Sequence, residues 1–350
     1  MRLFLIFVYF AVLILNPAAR AEQDADILAL HPNDRDMIII PPNLPQIHGV
    51  KIRPQGVELL PQEFAPGVYG LISTRKPVDN SGVIIGEDSI LVLDAHINED
   101  MARKILANVK SLTGRDVPNY LFNTNYHGDH TFGNGYFPEE THIIAHRITR
   151  DLIDSRFDFE KEFLLALVDD PAVYAAAPKR LPDQVFDEFM ELDLGGRVVQ
   201  FHYFGLGCGP GDSIVYLPEE KIAWTGNLIL GPTGIPWVIE GHAQEYLQTM
   251  ARVIEALDIE VMIPGHGGVL LGKNRIRTHM LKFQTYLAEL ISETDRLKQN
   301  GVAYEEIVEA FPLPKKYLPP KELQETTGGY PDALLEGWHA WNVLKTYVEP

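Results

Sequence analysis

The apolar residues of the first half of the chain fall into short runs bounded by Gly, Asn and Asp, a pattern that predicts strands. The runs lie at 68–72, 82–85, 89–93, 120–122 and 141–145. Apolar residues at helical spacing predict helices over 99–112 and, with a break, over 147–167. Strands that alternate with helices indicate an α/β fold.

The second half repeats this order of elements. Alternating residues over 185–204 surround Gly195-Gly196 and predict a hairpin. Strands are predicted at 213–217, 222–225 and 260–263, with a helix at 243–257. Residues 22–64 are rich in proline and show neither helical spacing nor strand alternation of apolar residues, so we expect an extended arm there. The folded domain is then expected over 65–272 and a C-terminal helical extension over 273–350.

The first 21 residues differ from the rest of the chain. Arg2 precedes an unbroken apolar run over 3–15, and Ala19-Arg20-Ala21 follows. This is typical of a secretory signal peptide cleaved after Ala21, and the run is shorter than the roughly 20 residues that span a bilayer. We expect an exported protein, periplasmic or secreted, with no stable membrane anchor after cleavage; an uncleaved anchor is the alternative.

Charge narrows the range of partners. The formal net charge is −18, and removal of the signal peptide takes away two arginines and no acids. So acidic a protein repels phosphate backbones and anionic lipids, which excludes nucleic acid and favours a small-molecule partner. Cys208 is the single cysteine, so no disulfide forms within the chain.

Four polar clusters stand at the ends of predicted strands. They are Asn125-Tyr126-His127-Gly128-Asp129-His130, Gly205-Leu206-Gly207-Cys208-Gly209-Pro210-Gly211-Asp212, Thr225-Gly226-Asn227 and Pro264-Gly265-His266-Gly267. Closely spaced imidazoles and carboxylates suit a divalent metal ion, and glycines let the backbone turn around it. A phosphate-binding loop is the alternative for the second cluster, which lacks the lysine of a nucleotide site.

In order and spacing, the four clusters resemble those of the metallo-β-lactamase fold superfamily, in its stand-alone hydrolase branch. The superfamily's pattern is His-x-His-x-Asp-His, Gly-x-Gly-His-Thr-x-Gly-Asp, Thr-Gly-Asp and Pro-Gly-His-Gly, and the resemblance covers roughly 67–269. It implies a four-layer αβ/βα sandwich with metal ions at one edge, between the sheets. It also implies metal-assisted hydrolysis of an ester, thioester, lactone, amide or phosphoester bond.

Three ligands of the family pattern are replaced. Asn125 stands for the first histidine, Cys208 for the middle histidine and Asn227 for the bridging aspartate. One metal position keeps Asp129, His130 and His266, a set that could hold Zn²⁺ or Fe²⁺ and leave room for water. The other position keeps His127, with Cys208 and the weak neighbour Asn125.

Loss of the bridging carboxylate favours one zinc ion over two, since it leaves the repulsion between two cations less compensated. Asp129 or Asn227 would orient the attacking water. The resemblance also makes Asp94 an acid that orients a ligand histidine. Cys208 has three interpretations: a thiolate ligand, a nucleophile, or a replacement without a role. With three ligands lost, a non-catalytic protein that binds a ligand or partner is the rival to a hydrolase.

We predict that the mature protein begins at Glu22, because the Ala19-x-Ala21 ending marks a cleavage site. N-terminal sequencing of the protein recovered from the cell envelope or medium tests this. An intact Met1 in that fraction would show that the segment is kept as an anchor.

Overall fold

The computed structural model describes residues 52–164, 167, 168, 170, 172–327 and 329–349, except for the side chains of 325–327. The predicted signal peptide and most of the predicted arm lie outside these residues. Within them, no helix has both the length and the apolar character needed to cross a bilayer.

In the described part of the chain, thirteen strands form two sheets. The first sheet contains, in spatial order, β1 (Leu59–Ala65), β2 (Val68–Ser73), β3 (Ser81–Ile85), β4 (Ile90–Leu93), β5 (Tyr120–Asn123), β6 (His142–His146) and β7 (Gln184–Phe186). The second contains β13 (Leu270–Leu271), β12 (Val261–Ile263), β11 (Ile222–Trp224), β10 (Ile214–Leu217), β9 (Val198–His202) and β8 (Phe189–Asp193). Strands β4 to β7 run parallel, as do β11 and β12, and the other pairs are antiparallel.

The α-helices of the described residues are α1 (Glu99–Thr113), α2 (Gly128–Thr131), α3 (Arg147–Phe163), α4 (Ala172–Ala175), α5 (Ala243–Ala256), α6 (Lys273–Gln299), α7 (Ile307–Ala310), α8 (Lys321–Thr327) and α9 (Asp332–Val348). Short 3-10 turns follow α2 at Phe132–Tyr136 and precede α8 at Lys315–Tyr317. Helix α1 shows how sequence sets the ends. The Asn98 side chain accepts a hydrogen bond from Met101 N at the start, and Gly114 closes the end with φ 74°.

The two sheets pack face to face, with helices on both outer sides. Ile84 and Phe122 of the first sheet meet Phe201 and Trp224 of the second, and the rings of Phe122 and Phe201 stack at 4.3 Å. Neighbouring strand residues such as Val83 point the other way, towards α1 and α3. The outer face of the second sheet is covered by α5, α6 and α9. This is the four-layer αβ/βα sandwich that the family resemblance implies.

Two boundaries differ from the sequence prediction. Strand β1 lies in the predicted arm except for its last residue, Ala65, so the first sheet begins at Leu59. Its residues after Leu59 are exposed or half-buried, as suits an edge strand, and they show no apolar alternation. Strand β7, at the start of the predicted hairpin, joins the first sheet instead of pairing with β8.

Two buried histidines far from the polar strand ends should make stability depend on pH. Burial lowers the pKa of His279 and of His339 from 6.5 to about 4. The unfolded chain therefore binds protons that the folded chain does not, so the stabilisation is complete above pH 6.5 and is lost as the pH falls towards 4. Each histidine contributes up to about 3 kcal/mol to this change.

We predict that His279→Gln flattens the decline in unfolding free energy between pH 6.5 and 4, measured by urea denaturation. Glutamine can still donate to the Leu230 carbonyl, which His279 Nε2 reaches at 2.9 Å. The control is His142→Gln at an exposed position, where the slope should stay as in the parent. An equal slope in both variants would contradict the account.

Candidate metal centre

The topology brings the polar clusters to one edge of the sandwich. Strand β5 leads into residues 125–130, β11 into Asn227 and β12 into His266. Because β11 and β12 are parallel neighbours, their carboxyl ends lie side by side. A hydrogen bond from Ser213 N to Thr124 O (2.8 Å) connects the loops of the two sheets.

Four side chains at this edge of the sandwich form a compact group, which we call the four-residue group. Ligand atoms of Asp79, Asp129, His130 and His266 all lie within 4.8 Å of one another. His266 Nε2 is 3.4 Å from Asp129 Oδ2, and His130 Nε2 is 3.9 Å from Asp79 Oδ1. The sequence predicts three members of this set, and the structure adds Asp79.

Both imidazoles are oriented by their Nδ1 atoms. His130 Nδ1 donates to Asp94 Oδ2 at 2.9 Å, and His266 Nδ1 donates to the Pro77 carbonyl at 2.7 Å. Asp94 is itself fixed, because Thr124 donates to it from its backbone N and from Oγ1, each at 2.8 Å. Metal-binding histidines usually make such a bond with the second nitrogen, which leaves Nε2 free for the metal. The predicted orienting role of Asp94 agrees with this geometry.

Asp79 is held at the group by its neighbour Asn80. Asn80 Nδ2 donates to the carbonyls of Pro264 (2.9 Å) and Gly267 (3.0 Å), and its backbone N donates to Gly265 O (2.7 Å). A Cβ at Gly265 would lie 2.9 Å from His130 Cε1, so only glycine allows this close approach. The β2–β3 connection and the His266 loop are thus tied together.

The carboxylate of Asp79 is fully buried, and neither oxygen accepts a hydrogen bond from any residue that the structure describes. His266 Nδ1 lies 2.9 Å from Asp79 Oδ1 but bonds to Pro77 O instead. A buried carboxylate that accepts no hydrogen bond is costly even beside imidazoles, and metal coordination is a common compensation. Two imidazole nitrogens with two carboxylates fit a Zn²⁺ or Fe²⁺ site.

Opposite charges dominate the electrostatics of the group. Burial would lower the pKa of His130, but Asp94, Asp129 and Asp79 raise it to about 9. Against the same effect of burial, Asp79 and Asp129 raise the pKa of His266 well above its usual value. Burial would raise the pKa of Asp129, but His130 and His266 hold it well below its usual range. The group therefore stabilises positive charge at its centre.

The second metal position of the family pattern, which keeps His127, is arranged differently from the four-residue group. Asn125 Oδ1 accepts a hydrogen bond from His127 N at 2.9 Å, so this oxygen is engaged within its own loop. The Asn227 amide lies between two imidazoles, with Oδ1 3.2 Å from His130 Nε2 and Nδ2 3.2 Å from His127 Nδ1. The residue that replaces the bridging aspartate thus links the two predicted positions through an amide.

His127 lies next to a buried ion pair that the sequence motifs do not predict. Its Nε2 is 3.8 Å from Glu240 Oε2, and Glu240 Oε1 is 2.7 Å from Arg156 Nη1, with both partners of the pair buried. Burial lowers the pKa of His127 to about 3. Glu240 and Arg156 come from separate segments with no ligand pattern, so no sequence signal marks them.

Cys208 is buried and lines the same cavity as His127, Asp129, Asn227 and His266, but it is not a member of the four-residue group. Burial and the nearby Asp212 raise the pKa of its thiol well above the usual value. The raised pKa favours the neutral thiol in the metal-free protein, and a neutral thiol is a poor nucleophile, which disfavours the nucleophile interpretation.

Comparison of the chain with models of protein families identifies its superfamily. The model described as "Metallo-beta-lactamase superfamily" matches residues 77–266, more than half of the chain. The chain belongs to the metallo-β-lactamase superfamily. The match begins at the Pro77 segment that carries Asp79 and ends at His266, so it contains the whole four-residue group.

Known proteins are similar to this superfamily member at low identity. A linear primary-alkylsulfatase of a Pseudomonas species is 20% identical in an alignment of 264 positions that covers 66% of this chain and 49% of that protein. The chain thus spans about half the length of this curated relative.

Two solved structures share the fold. A metallo-β-lactamase from Pontibacter korlensis has a TM-score of 0.53 and 15% identity over 65% of this chain and 99% of its own. The sec-alkylsulfatase Pisa1 from Pseudomonas sp. has a TM-score of 0.58 and 14% identity over 94% and 62%.

Sequence reasoning misses Asp79 because it carries no ligand pattern. It follows Pro77-Val78 and precedes a strand, where an acidic residue is ordinary for a turn. Only the pairing of β2 with β3, and Asn80's bonds to the His266 loop, bring it to the metal-ligand candidates.

We predict that Asp79→Asn lowers zinc affinity at least tenfold, since it removes a buried charge from the donor set. Competition with a chromophoric chelator measures the change, and circular dichroism checks the fold. Asp88→Asn, at an exposed position, is the matched control and should bind zinc like the parent. Equal affinities in the two variants would remove Asp79 from the site.

The family pattern predicts that Cys208→His with Asn227→Asp raises the bound metal towards two equivalents, more than either change alone. The histidine adds a ligand beside His127, and the aspartate supplies the shared charge that two cations need. Elemental analysis after dialysis measures the ratio. A double variant with the parent's metal content would show that the second position cannot be rebuilt from these two residues.

Proposed function

We propose that this chain is an exported metal-dependent hydrolase that acts on an ester, thioester, lactone or amide bond of a small molecule. A single divalent ion, zinc or iron, would be held by Asp79, Asp129, His130 and His266. The observation that carries the proposal is a buried set of two imidazoles and two carboxylates that opens at one end of an apolar cavity. Export is proposed from residues 1–21 alone.

The cavity has a polar end and an apolar wall. His127, Asp129, Cys208, Asn227 and His266 form the polar end. The wall consists of Ile52, Pro77, Phe163, Leu164, Leu167, Leu230, Trp237, Ile239, Tyr330, Leu334 and Trp338. The 228–239 segment and helix α9 thus supply much of the wall. Such a lining complements an apolar part of a substrate.

A metal ion bound at the group supplies a Lewis acid that makes water more acidic and polarises the scissile bond. The chain's own residues position the reactants. Asp129 and Asn227 both line the cavity, so they can orient the attacking water by hydrogen bonds. Asp129 remains ionised and accepts such a bond, because His130 and His266 lower its pKa. Asp94 and Pro77 fix the two imidazoles.

The rival is a non-catalytic protein that keeps the fold and binds a ligand in the same cavity. The observation that favours it is the state of the other family position, where the Asn125 oxygen is bonded to its own loop and Asn227 replaces a carboxylate. Such a protein would bind apolar molecules but hydrolyse none of them.

We predict that zinc-loaded or iron-loaded protein hydrolyses at least one member of a panel of 4-nitrophenyl esters, lactones, thioesters and β-lactams. Because Asp129 takes part in both metal binding and water orientation, Asp129→Asn should lower kcat/KM at least a hundredfold. Removal of the metal by a chelator should abolish turnover, and re-addition should restore it.

The panel also includes 4-nitrophenyl sulfate and an alkyl sulfate, since two of the similar proteins are alkylsulfatases by name. Hydrolysis of the sulfates alone would keep the metal site but replace the proposed bond type. No turnover of any compound by fully metal-loaded protein would favour the non-catalytic rival.

A further inference from the structure

The cavity wall contains hydrogen-bond donors as well as apolar surface. Tyr330, Trp237 and Trp338 line it, and the Tyr330 hydroxyl and both indole N–H groups are buried without a partner among the described residues. The three rings are contiguous: Trp237 and Trp338 stack at 5.0 Å, and Tyr330 meets Trp338 at 4.8 Å. We call these three side chains the donor cluster.

Unpartnered donors are uncommon in folded proteins, because each loses its hydrogen bonds to water on burial. Trp341 shows the ordinary arrangement close by, since its indole N–H donates to the Val238 carbonyl at 3.0 Å. Unpartnered donors also occur away from the cavity, as at Trp224 Nε1, but here three of them belong to residues that line one cavity.

The Tyr330 hydroxyl lies near the metal-ligand candidates. A Cβ built on Gly267, the residue after His266, would be 3.5 Å from this oxygen. The Tyr330 hydroxyl thus lies beside the His266 loop, and the donor cluster shares the cavity with Asp129 and His266 of the four-residue group.

We propose that the donor cluster recognises an uncharged acceptor oxygen of the substrate, such as a ketone, ester or amide carbonyl outside the scissile bond. This inference rests on the proposed function, since it takes the cavity as the substrate site. It narrows the substrate class to apolar molecules that carry a second, neutral polar group.

The charge of the cavity decides between a neutral acceptor and an anion. Among the described lining residues none is lysine or arginine, and Asp129 adds a negative charge. Asp79 and Asp129 already balance the positive charge of the two histidines, or of a bound divalent ion, so an anionic group placed on the donor cluster would be buried without a counter-charge of its own, which is costly. A carbonyl oxygen accepts the same hydrogen bonds without that cost.

The test uses three hydroxamic acids with aliphatic tails of one length, and the zinc-loaded full chain. One tail is plain alkyl, one carries a ketone that is moved along the tail in a series, and one ends in a carboxylate. Dissociation constants come from isothermal titration calorimetry. We expect the best ketone to bind about fivefold or more tightly than the alkyl probe, the gain of one net hydrogen bond, and more tightly than the carboxylate.

Tyr330→Phe is the decisive variant. The ratio of alkyl to ketone dissociation constants should fall towards one, while the Tm of the ligand-free protein should stay the same or rise, because the hydroxyl has no partner to lose. Tyr286→Phe is the matched control: its buried hydroxyl bonds to His339 and Asn342, each at 2.9 Å. This variant should lower the Tm and leave the ratio unchanged.

The outcomes separate the two proposals. Metal-dependent binding of hydroxamates without any gain from the ketone, or with an unchanged ratio in Tyr330→Phe, overturns the donor cluster and leaves the metal site intact. Tightest binding of the carboxylate overturns the neutral acceptor. Hydroxamate binding that does not depend on metal contradicts the proposed function itself, and with it this inference.

Discussion

Compensation of buried negative charge is the constraint on which this site depends. Asp79, Asp94 and Asp129 place three carboxylates in the interior beside His130 and His266. Removing ionised groups from water costs several kcal/mol each, unless partners of opposite charge replace the lost hydration. In the protein alone the raised pKa values of the two histidines provide that charge. A divalent cation would provide it without those protons, which is why the donor set suits a metal.

The same constraint accounts for the strained backbone around the group. Asp94 and His96 have φ of 57° and 68°, a left-handed conformation that side chains with a Cβ seldom adopt. The turn between them aims Asp94 at His130, while His96 Nε2 donates to the backbone carbonyl of Asp79 at 2.9 Å. Strain of this kind persists where surrounding contacts fix it, and it gathers at functional sites. Here those contacts hold the imidazoles and carboxylates at short distance.

Much of the fold follows from local pattern. Strands β3 to β6 are short apolar runs buried on both faces, and helix α1 has one buried face and defined caps, so apolar runs, helical spacing and caps predict them closely. The sequence pattern does not predict the edge strand β1 or the separate three-residue strand β7, because neither has enough buried residues to show the alternation of a strand. The site divides in the same way. Asp129, His130 and His266 stand in motifs that spacing reveals. Asp79 reaches the ligand candidates, Glu240 reaches His127 and Tyr330 reaches the cavity only through tertiary contacts between distant segments.

The substitutions of the family's ligand residues are consistent with this need to compensate charge. Asn227 removes a negative charge from between the two family positions, and Asp79 supplies one beside His130 and His266. The charge of the site is thus concentrated at one position, as expected for a single ion. The C-terminal residues that lie outside the family match, Tyr330, Leu334 and Trp338, then complete the cavity over it.

X-ray absorption spectroscopy of the zinc-loaded protein tests this account most directly. A site built from Asp79, Asp129, His130 and His266 predicts nitrogen and oxygen scatterers near 2.0–2.2 Å, about two of them imidazoles, with no sulfur and no second metal. A zinc–sulfur shell near 2.3 Å would place Cys208 in the site, and a metal–metal vector of about 3.5–4 Å would reveal two ions; either result would contradict the single four-residue centre.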